Sequence, residues 1–258
     1  MAHFPGYIGR QAIRSVDHIL NLFAFTHSIF KLIIERPRAG RALLRRFTLE
    51  QIYFTGFQAL HIIIPVALII GSMLIVQYTK VSAQYDLGKM MVFLLVRETG
   101  PIVTALIVIL RTATAVTIET GYMHVLHEIE TIEMTGLDPL RIICLPRIVG
   151  ITSAILCLFV VFDLVSIMGG YAIVWAVTYI PMGNFLQQIA KAITATDIAV
   201  GFIKAICFGI TITVTCLYHG FKTTKRITDI PASTSKAAIE CFLYCLIVNV
   251  VISVLFYI

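Results

Sequence analysis

From Gln51 to Thr79 the chain contains no Asp, Glu, Lys or Arg. A helix needs about 20 apolar residues to cross a bilayer core, and an uncharged run this long fits that use better than a soluble core. Comparable apolar runs occupy Met90–Tyr122, Ile148–Ile180, Ile198–Gly220 and Cys241–Ile258. Lipid offers no partner to an open backbone, so five such runs specify an all-α integral membrane protein with five transmembrane helices. Composition agrees, with 258 residues that are 59% hydrophobic and 13% charged.

The polar stretches between the runs set the orientation. Ile8, Ala12, Ile13, Val16, Ile19, Leu20, Phe23 and Phe30 make one helical stripe in residues 7–34, while Arg10, Arg14, Asp17 and Lys31 fall elsewhere. Such a helix is too interrupted to span and lacks the layout of a signal peptide, so the expectation is an amphipathic helix on the membrane surface. A basic run with Arg36, Arg38, Arg41, Arg45 and Arg46 follows, and Thr48 with Gln51 suits a capping box opening the first span. Residues 1–47 then form a surface segment and residues 48–258 the five-span domain. The first segment, residues 123–147 and residues 222–236 hold fourteen Lys and Arg, against three in the alternate connections, Lys80, Lys89 and Lys191. The excess of positive charge marks the cytoplasmic side, which places the N-terminus in the cytoplasm and the C-terminus outside it. Net charge is +6, and its position on one membrane side explains it without nucleic acid.

Charge inside the runs is sparse. Met90–Tyr122 holds Arg97, Glu98, Arg111 and Glu119, the third run holds only Asp163, and the fourth holds Lys204. Ionisable groups at membrane depth are costly and face protein or water, where they brace the bundle or mark a functional path. Thr112, Ala113, Thr114, Ala115 and Thr117 give the second run a small-residue surface for close helix contact. The third run would make a helix of about 50 Å against a core of about 30 Å. It must tilt, bend or stop, and Gly169–Gly170 is the expected break.

Tyr122, Val125, Leu126, Ile129 and Ile132 form a stripe on an expected cytoplasmic helix over residues 122–138, made acidic by Glu128, Glu130 and Glu133. Helices that rest on anionic lipid carry Lys and Arg instead. An acidic helix with an apolar stripe suits docking into a groove of another protein, or packing on its own. Gly136 reads as its stop, and Asp138-Pro139 as the cap and first residue of the next helix.

Metal and nucleotide chemistry find little purchase. His124 and His127 beside Glu128 do not follow the His-Glu-x-x-His order of zinc proteases, and no Gly-x-x-x-x-Gly-Lys-Ser/Thr loop occurs. The six cysteines lie in or beside apolar runs, so they read as small buried residues rather than a disulfide framework or a metal site. No catalytic residue is assigned. If ATP drives this protein, another polypeptide must bind it.

Several motifs together identify a resemblance. These are Arg97-Glu98-Thr99-Gly100-Pro101-Ile102-Val103-Thr104-Ala105-Leu106, Arg111 with Glu119-Thr120-Gly121-Tyr122-Met123, Glu128-Ile129, Glu133-Met134-Thr135-Gly136-Leu137-Asp138-Pro139-Leu140 and Pro146-Arg147. With Gly169-Gly170, Lys204, Phe208-Gly209, Cys216 and Gly220, they resemble the MlaE-type permeases of the MCE lipid-transport ABC systems. The chain departs from the family pattern at Arg111-Thr112-Ala113-Thr114-Ala115, where Arg-x-Gly-Ser-Ala is usual. It also has Ile118 for an Ala and Asn249 for a common Asp.

The resemblance implies a homodimeric permease of the bacterial inner membrane, with two cytoplasmic ABC ATPase subunits that bind ATP and Mg and grip the acidic helix as a coupling helix. It also implies a periplasmic MCE-domain protein, a STAS-domain subunit in some relatives, and phospholipid as cargo. On that reading Gln77, Tyr78, Arg97 and Glu98 line the lipid path, and Leu126, Glu128, Ile129, Glu133 and Asp138 couple to the ATPase. Arg111, Glu119 and Lys204 are intramembrane charges with structural or functional roles. Two rival classes are a membrane scaffold or channel that only recruits a soluble partner, and an intramembrane lipid enzyme using Glu98, Glu119 or the two histidines.

Overall fold

A computed structural model describes residues 17–29, 31, 41–81, 92–178, 183, 187, 190–223 and 226–257. Every regular element among them is helical. Residues 17–29 form α1. There follow α2 (Arg41–Thr55), α3 (Leu60–Val81), α4 (Gly100–Val108), α5 (Thr114–Val125), α6 (Glu128–Met134), α7 (Pro139–Thr178), α8 (Ala195–Phe221) and α9 (Ile230–Tyr257). Among the described residues, five stretches are long and apolar enough to cross a membrane: Leu43–Gln77, Phe93–Val125, Pro139–Ala172, Ala195–Phe221 and Ile227–Phe256.

The first span is a broken helix. α2 stops at Thr55, a short 3-10 turn covers Phe57–Ala59, and α3 resumes the crossing. The expected capping box does not form, because α2 already runs from Arg41 and Thr48 lies inside it. Its hydroxyl donates to the Leu44 carbonyl at 2.8 Å, while Gln51 Nε2 donates to Thr55 Oγ1 at 3.0 Å. Arg41, Arg45 and Arg46 therefore share one helix with Thr48 and Gln51.

The second span runs through two π-helical stretches, Val92–Thr99 and Ile109–Ala113, which flank α4. Wider turns of this kind arise where the ordinary ladder is disturbed, and they are frequent at functional sites. Arg97 and Glu98 lie on the first, Arg111 on the second.

The third span is one unbroken helix of 40 residues, Pro139–Thr178, and Gly169–Gly170 does not break it. Those glycines are notches. A Cβ on Gly169 would sit 2.1 Å from Leu68 Cδ2, and one on Gly170 would sit 1.9 Å from Ile75 Cδ1. α3 fills the space, and its own Gly71 lies against the Ser166 backbone. Ser166 Oγ adds a hydrogen bond to the Ala67 carbonyl at 3.1 Å. Small residues that let two backbones approach are how helices associate where burial from water supplies no drive. At the bundle centre Phe162, Phe208, Ile212, Ile155 and Ile63 are fully buried.

The acidic segment is not one helix over 122–138. α5 ends at Val125, His127 turns left-handed with φ 60°, and α6 restarts at Glu128 for seven residues. The stop at Gly136 is confirmed by its φ of +79°. Asp138 Oδ1 accepts the Leu140 N–H at 3.0 Å as α7 opens at Pro139.

α1 turns Ile19, Leu20 and Phe23 outward and buries Ile29 against the bundle, so the stripe predicted from sequence faces away from the protein. The remaining members, Ile8, Ala12, Ile13, Val16 and Phe30, lie outside the described residues.

The α3–α7 contact generates a stability prediction. Gly71→Ala gains up to about 1 kcal/mol of helix propensity but drives a methyl into backbone, an overpacking cost of about 1–3 kcal/mol. It should lower the melting temperature of the detergent-purified protein. Gly121→Ala, whose new methyl meets only side-chain atoms at 3.4 Å or more, should not. Equal melts for the two would contradict the notch.

Candidate functional site

Lys204, on α8, is 0% exposed. An ammonium has three N–H groups and no acceptor, so each needs a partner when buried. Nζ donates to Glu98 Oε1 at 3.1 Å, to Ser253 Oγ at 2.7 Å and to the backbone carbonyl of Arg97 at 2.8 Å. That carbonyl is available for a sequence reason. Four residues on stands Pro101, which has no N–H to close the helical bond.

Glu98 is correspondingly saturated. Besides Lys204, its Oε1 accepts from Ser253 Oγ at 2.7 Å and its Oε2 from Asn249 Nδ2 at 2.7 Å. Asn249 stands where a carboxylate is common in the resembled family, and its amide donates where an Asp would repel. The next residue back, Arg97, turns the other way, and its Nη2 meets Asp197 Oδ1 at 2.6 Å. Asp197 is held in turn at the start of α8, where its Oδ2 accepts both the N–H and the hydroxyl of Thr194, at 3.0 and 2.7 Å. A carboxylate in a helix's first turn is also favoured by the helix dipole.

The result is a charge network joining the second, fourth and fifth spans near the ends bearing Val92, Ala195 and Tyr257. Its four charged side chains, Arg97, Glu98, Asp197 and Lys204, balance. Glu98 and Arg97 keep 26% and 23% of their side chains accessible, so the network has an open side. Asp163 stands nearby. Its Oδ1 is buried with no hydrogen-bond partner, at the position where a Cβ on Gly100 would come within 2.3 Å. Gly100 makes room for this carboxyl, which the sequence showed only as a lone charge.

Arg111 and Glu119 do not pair with each other. Arg111 reaches the first span, donating to the Phe54 carbonyl and to Gln58 Oε1, both at 2.6 Å, with its guanidinium 4.7 Å from the Phe54 ring centroid. It thereby caps the end of α2, where carbonyls lack helical partners. Glu119 pairs with Arg147 Nη2 at 3.0 Å, while Arg147 Nη1 donates to Thr120 Oγ1. Phe54, Glu119 and Arg147 border a cleft of about 440 Å³ lined also by Phe47, Glu50, Met123 and Ile132. Glu119 lies 21 residues beyond Glu98 in the same span, or roughly 30 Å along it, so this cleft and the Lys204 network occupy opposite ends of the bundle.

Beyond the cleft lies α6. Ile129 and Ile132 pack half-buried on the bundle core, so these members of the expected stripe serve the chain's own fold. Glu128, Glu130 and Glu133 are exposed, as are Leu126, Met134 and Leu137. Asp138 is exposed too, but its Oδ1 is engaged as a cap. Of the remaining site residues, Gln77 is exposed near the end of α3, and the Tyr78 side chain lies outside the described residues. His127 Nδ1 meets Glu130 Oε2 at 2.9 Å, and neither His124 nor His127 joins a group of three metal-ligating side chains among the described residues.

Sequence reasoning missed Asp197 and Ser253 as partners. Thr194-x-x-Asp197 was legible as a helix start, whereas nothing local links Ser253 to Glu98.

The pair at the network's centre generates a second prediction. Removing one partner of a buried ion pair costs about 3 kcal/mol or more, and replacing both costs less. Lys204→Met should therefore destabilise strongly, and adding Glu98→Gln should recover part of the loss in thermal melts. Strictly additive effects would mean that the pair is not coupled.

The family model described as Permease MlaE matches residues 48–255. The chain is 28% identical over 250 residues to the intermembrane phospholipid transport system permease protein MlaE of Haemophilus influenzae, covering 94% of this chain and 93% of that protein. It is 23% identical over 254 residues to a probable ABC transporter permease protein of Rickettsia conorii, covering 97% and 96%. It is 26% identical over 243 residues to another so described in Synechocystis, covering 92% and 90%.

Proposed function

The chain belongs to the MlaE permease family, and on that premise we propose how its two ends divide the work of an ATP-driven phospholipid transporter. It is the permease subunit of such a transporter. The observation that carries the proposal is the placement of the two polar sites at opposite ends of one five-span bundle. Three spans meet around Lys204 and Glu98 at one end, and an acidic, exposed α6 stands at the other.

The distribution of Lys and Arg puts α6 in the cytoplasm and the Lys204 network toward the periplasm. An ABC ATPase subunit then docks α6 through Glu128, Glu133 and the exposed Leu126 and Met134, and ATP with Mg binds in that partner. Because Ile129 and Ile132 pack on the bundle core, a push on α6 has a solid path inward. Movement of the second span shifts Arg97 and Glu98 together, since both lie on its π-helical stretch.

Two copies of the chain would enclose the lipid. In a single copy the most apolar window of the fifth span is 17% buried and that of the first 28%, against 56% for the second and fourth. The fifth and first spans are thus the faces with most left to cover, by lipid or by a second copy. In the dimer they, with the second span, line an outward-opening cavity in which Arg97, Glu98 and Gln77 meet the headgroup. A periplasmic MCE-domain protein exchanges lipid at that mouth, in a bacterial inner membrane. A STAS-domain subunit would sit on the ATPase. The chain itself performs no catalysis in this scheme.

Two sets of variants in the reconstituted complex test the division. Arg97→Gln and Glu98→Gln, made together with Asp197→Asn and Lys204→Met so that no buried charge loses its partner, should cut lipid transfer between vesicles at least about tenfold, a loss of about 1.4 kcal/mol, while the complex stays assembled. Glu128→Lys with Glu133→Lys should instead release the ATPase subunit from the membrane. Full lipid transfer by the first set in an intact complex would remove the headgroup path from Arg97 and Glu98.

A further inference from the structure

Three side chains from distant parts of the chain converge on one point. His18 of α1 and His219 near the end of α8 both turn their Nε2 atoms to the same oxygen, Oε2 of Glu240 on α9, at 2.9 and 2.8 Å. All three ligand atoms lie within 4.8 Å of one another. His18 and Glu240 are 222 residues apart. We propose that His18, His219 and Glu240 form a binding site for a transition-metal dication of the zinc type, which fastens the N-terminal helix to the bundle.

The donor set fits this class of ion. Two imidazoles and one carboxylate, with a fourth position left to water, is an established zinc ligand set. Imidazole nitrogen selects Zn, Ni, Cu or Co over Mg and Ca, which take oxygen. Tetrahedral Zn with ligands at about 2.0–2.1 Å places neighbouring donor atoms about 3.3 Å apart. The present separations from Glu240 therefore need to widen by only about half an ångström.

The surroundings hold the imidazoles in place and leave a way in. The Tyr218 ring stands edge-on to His18 at a centroid distance of 5.1 Å, and Phe25 of α1 packs on Tyr218 at 5.9 Å. The two imidazoles are 5.5 Å apart. His219 keeps only 9% of its side chain exposed, while His18 and Glu240 keep 22% and 27%, so the cluster is not sealed inside the protein. Lys222, the cation three residues past His219, is turned to the Tyr218 hydroxyl at 3.0 Å.

A filled site would carry a mechanical consequence. α1 offers Ile19, Leu20 and Phe23 outward, so only its other face holds it to the protein. A metal bond from His18 to α8 and α9 would add a strong local fastening there, and its strength would follow metal supply.

The test uses the full chain, purified without a histidine tag, stripped with chelator and then loaded with Co²⁺ or Zn²⁺. The expected result is about one ion per chain by elemental mass spectrometry, with the intense visible bands that tetrahedral Co²⁺ gives. His18→Ala lies on the peripheral helix and leaves the bundle intact. It should weaken binding at least about tenfold, since even outer-shell changes cost that much. His219→Ala should abolish the visible bands, and His124→Ala should change neither. Wild-type protein that retains no more Co²⁺ than His18→Ala with His219→Ala, or Co²⁺ bands that survive both substitutions, would overturn the site.

Discussion

The ammonium of Lys204 sets the terms for one whole end of this molecule. A charge with no exposed surface in the middle of an apolar bundle must be neutralised and have every N–H matched, or the span that carries it does not insert stably. Glu98 supplies the counter-charge, Ser253 a hydroxyl, and the Arg97 carbonyl a site left open by Pro101. Asn249 fixes the carboxylate's second oxygen. Second, fourth and fifth spans are thus held in one register by groups that lipid could not replace, and Glu98 and Arg97 keep an accessible edge.

Elsewhere the bundle is joined by the absence of side chain. α3 and α7 approach through Gly71, Gly169 and Gly170, and α8 lays Gly209 against Thr152 and Gly220 against Thr120. Close backbone contact gives dispersion and weak polar bonds in place of the burial from water that drives soluble folding. The two modes differ in what they tolerate. A packed notch yields to a small shift, whereas the buried ammonium of Lys204 keeps its three partners only in one arrangement of the spans.

The spans were legible in sequence because absence of charge over about 20 residues has few other meanings. The stop at Gly136 and the cap at Asp138 were legible because they are local. Gly169–Gly170 was not, since a glycine pair looks the same whether it bends a helix or admits a neighbour, and only α3 decides. Thr48 and Gln51 have capping-box spacing, yet α2 starts upstream and leaves both inside it. Arg97, Glu98 and Lys204 stood out as intramembrane charges, but their pairing across more than 100 residues carries no local mark. For the same reason His18, His219 and Glu240 went unnoticed. The turn at His127 divides a segment whose apolar stripe reads as continuous, and it leaves Ile129 and Ile132 on the protein's own core.

On the function proposed above, this chain works as a paired permease gripped by an ATPase at its acidic end and holding lipid at the other. Native mass spectrometry of the complex, taken from its own membrane in mild detergent, tests that most directly. The expected result is one assembly containing two copies of the chain, two copies of a nucleotide-binding subunit, an MCE-domain protein and bound phospholipid. A chain that emerges reproducibly alone under those conditions, with neither nucleotide-binding partner nor lipid, would contradict it.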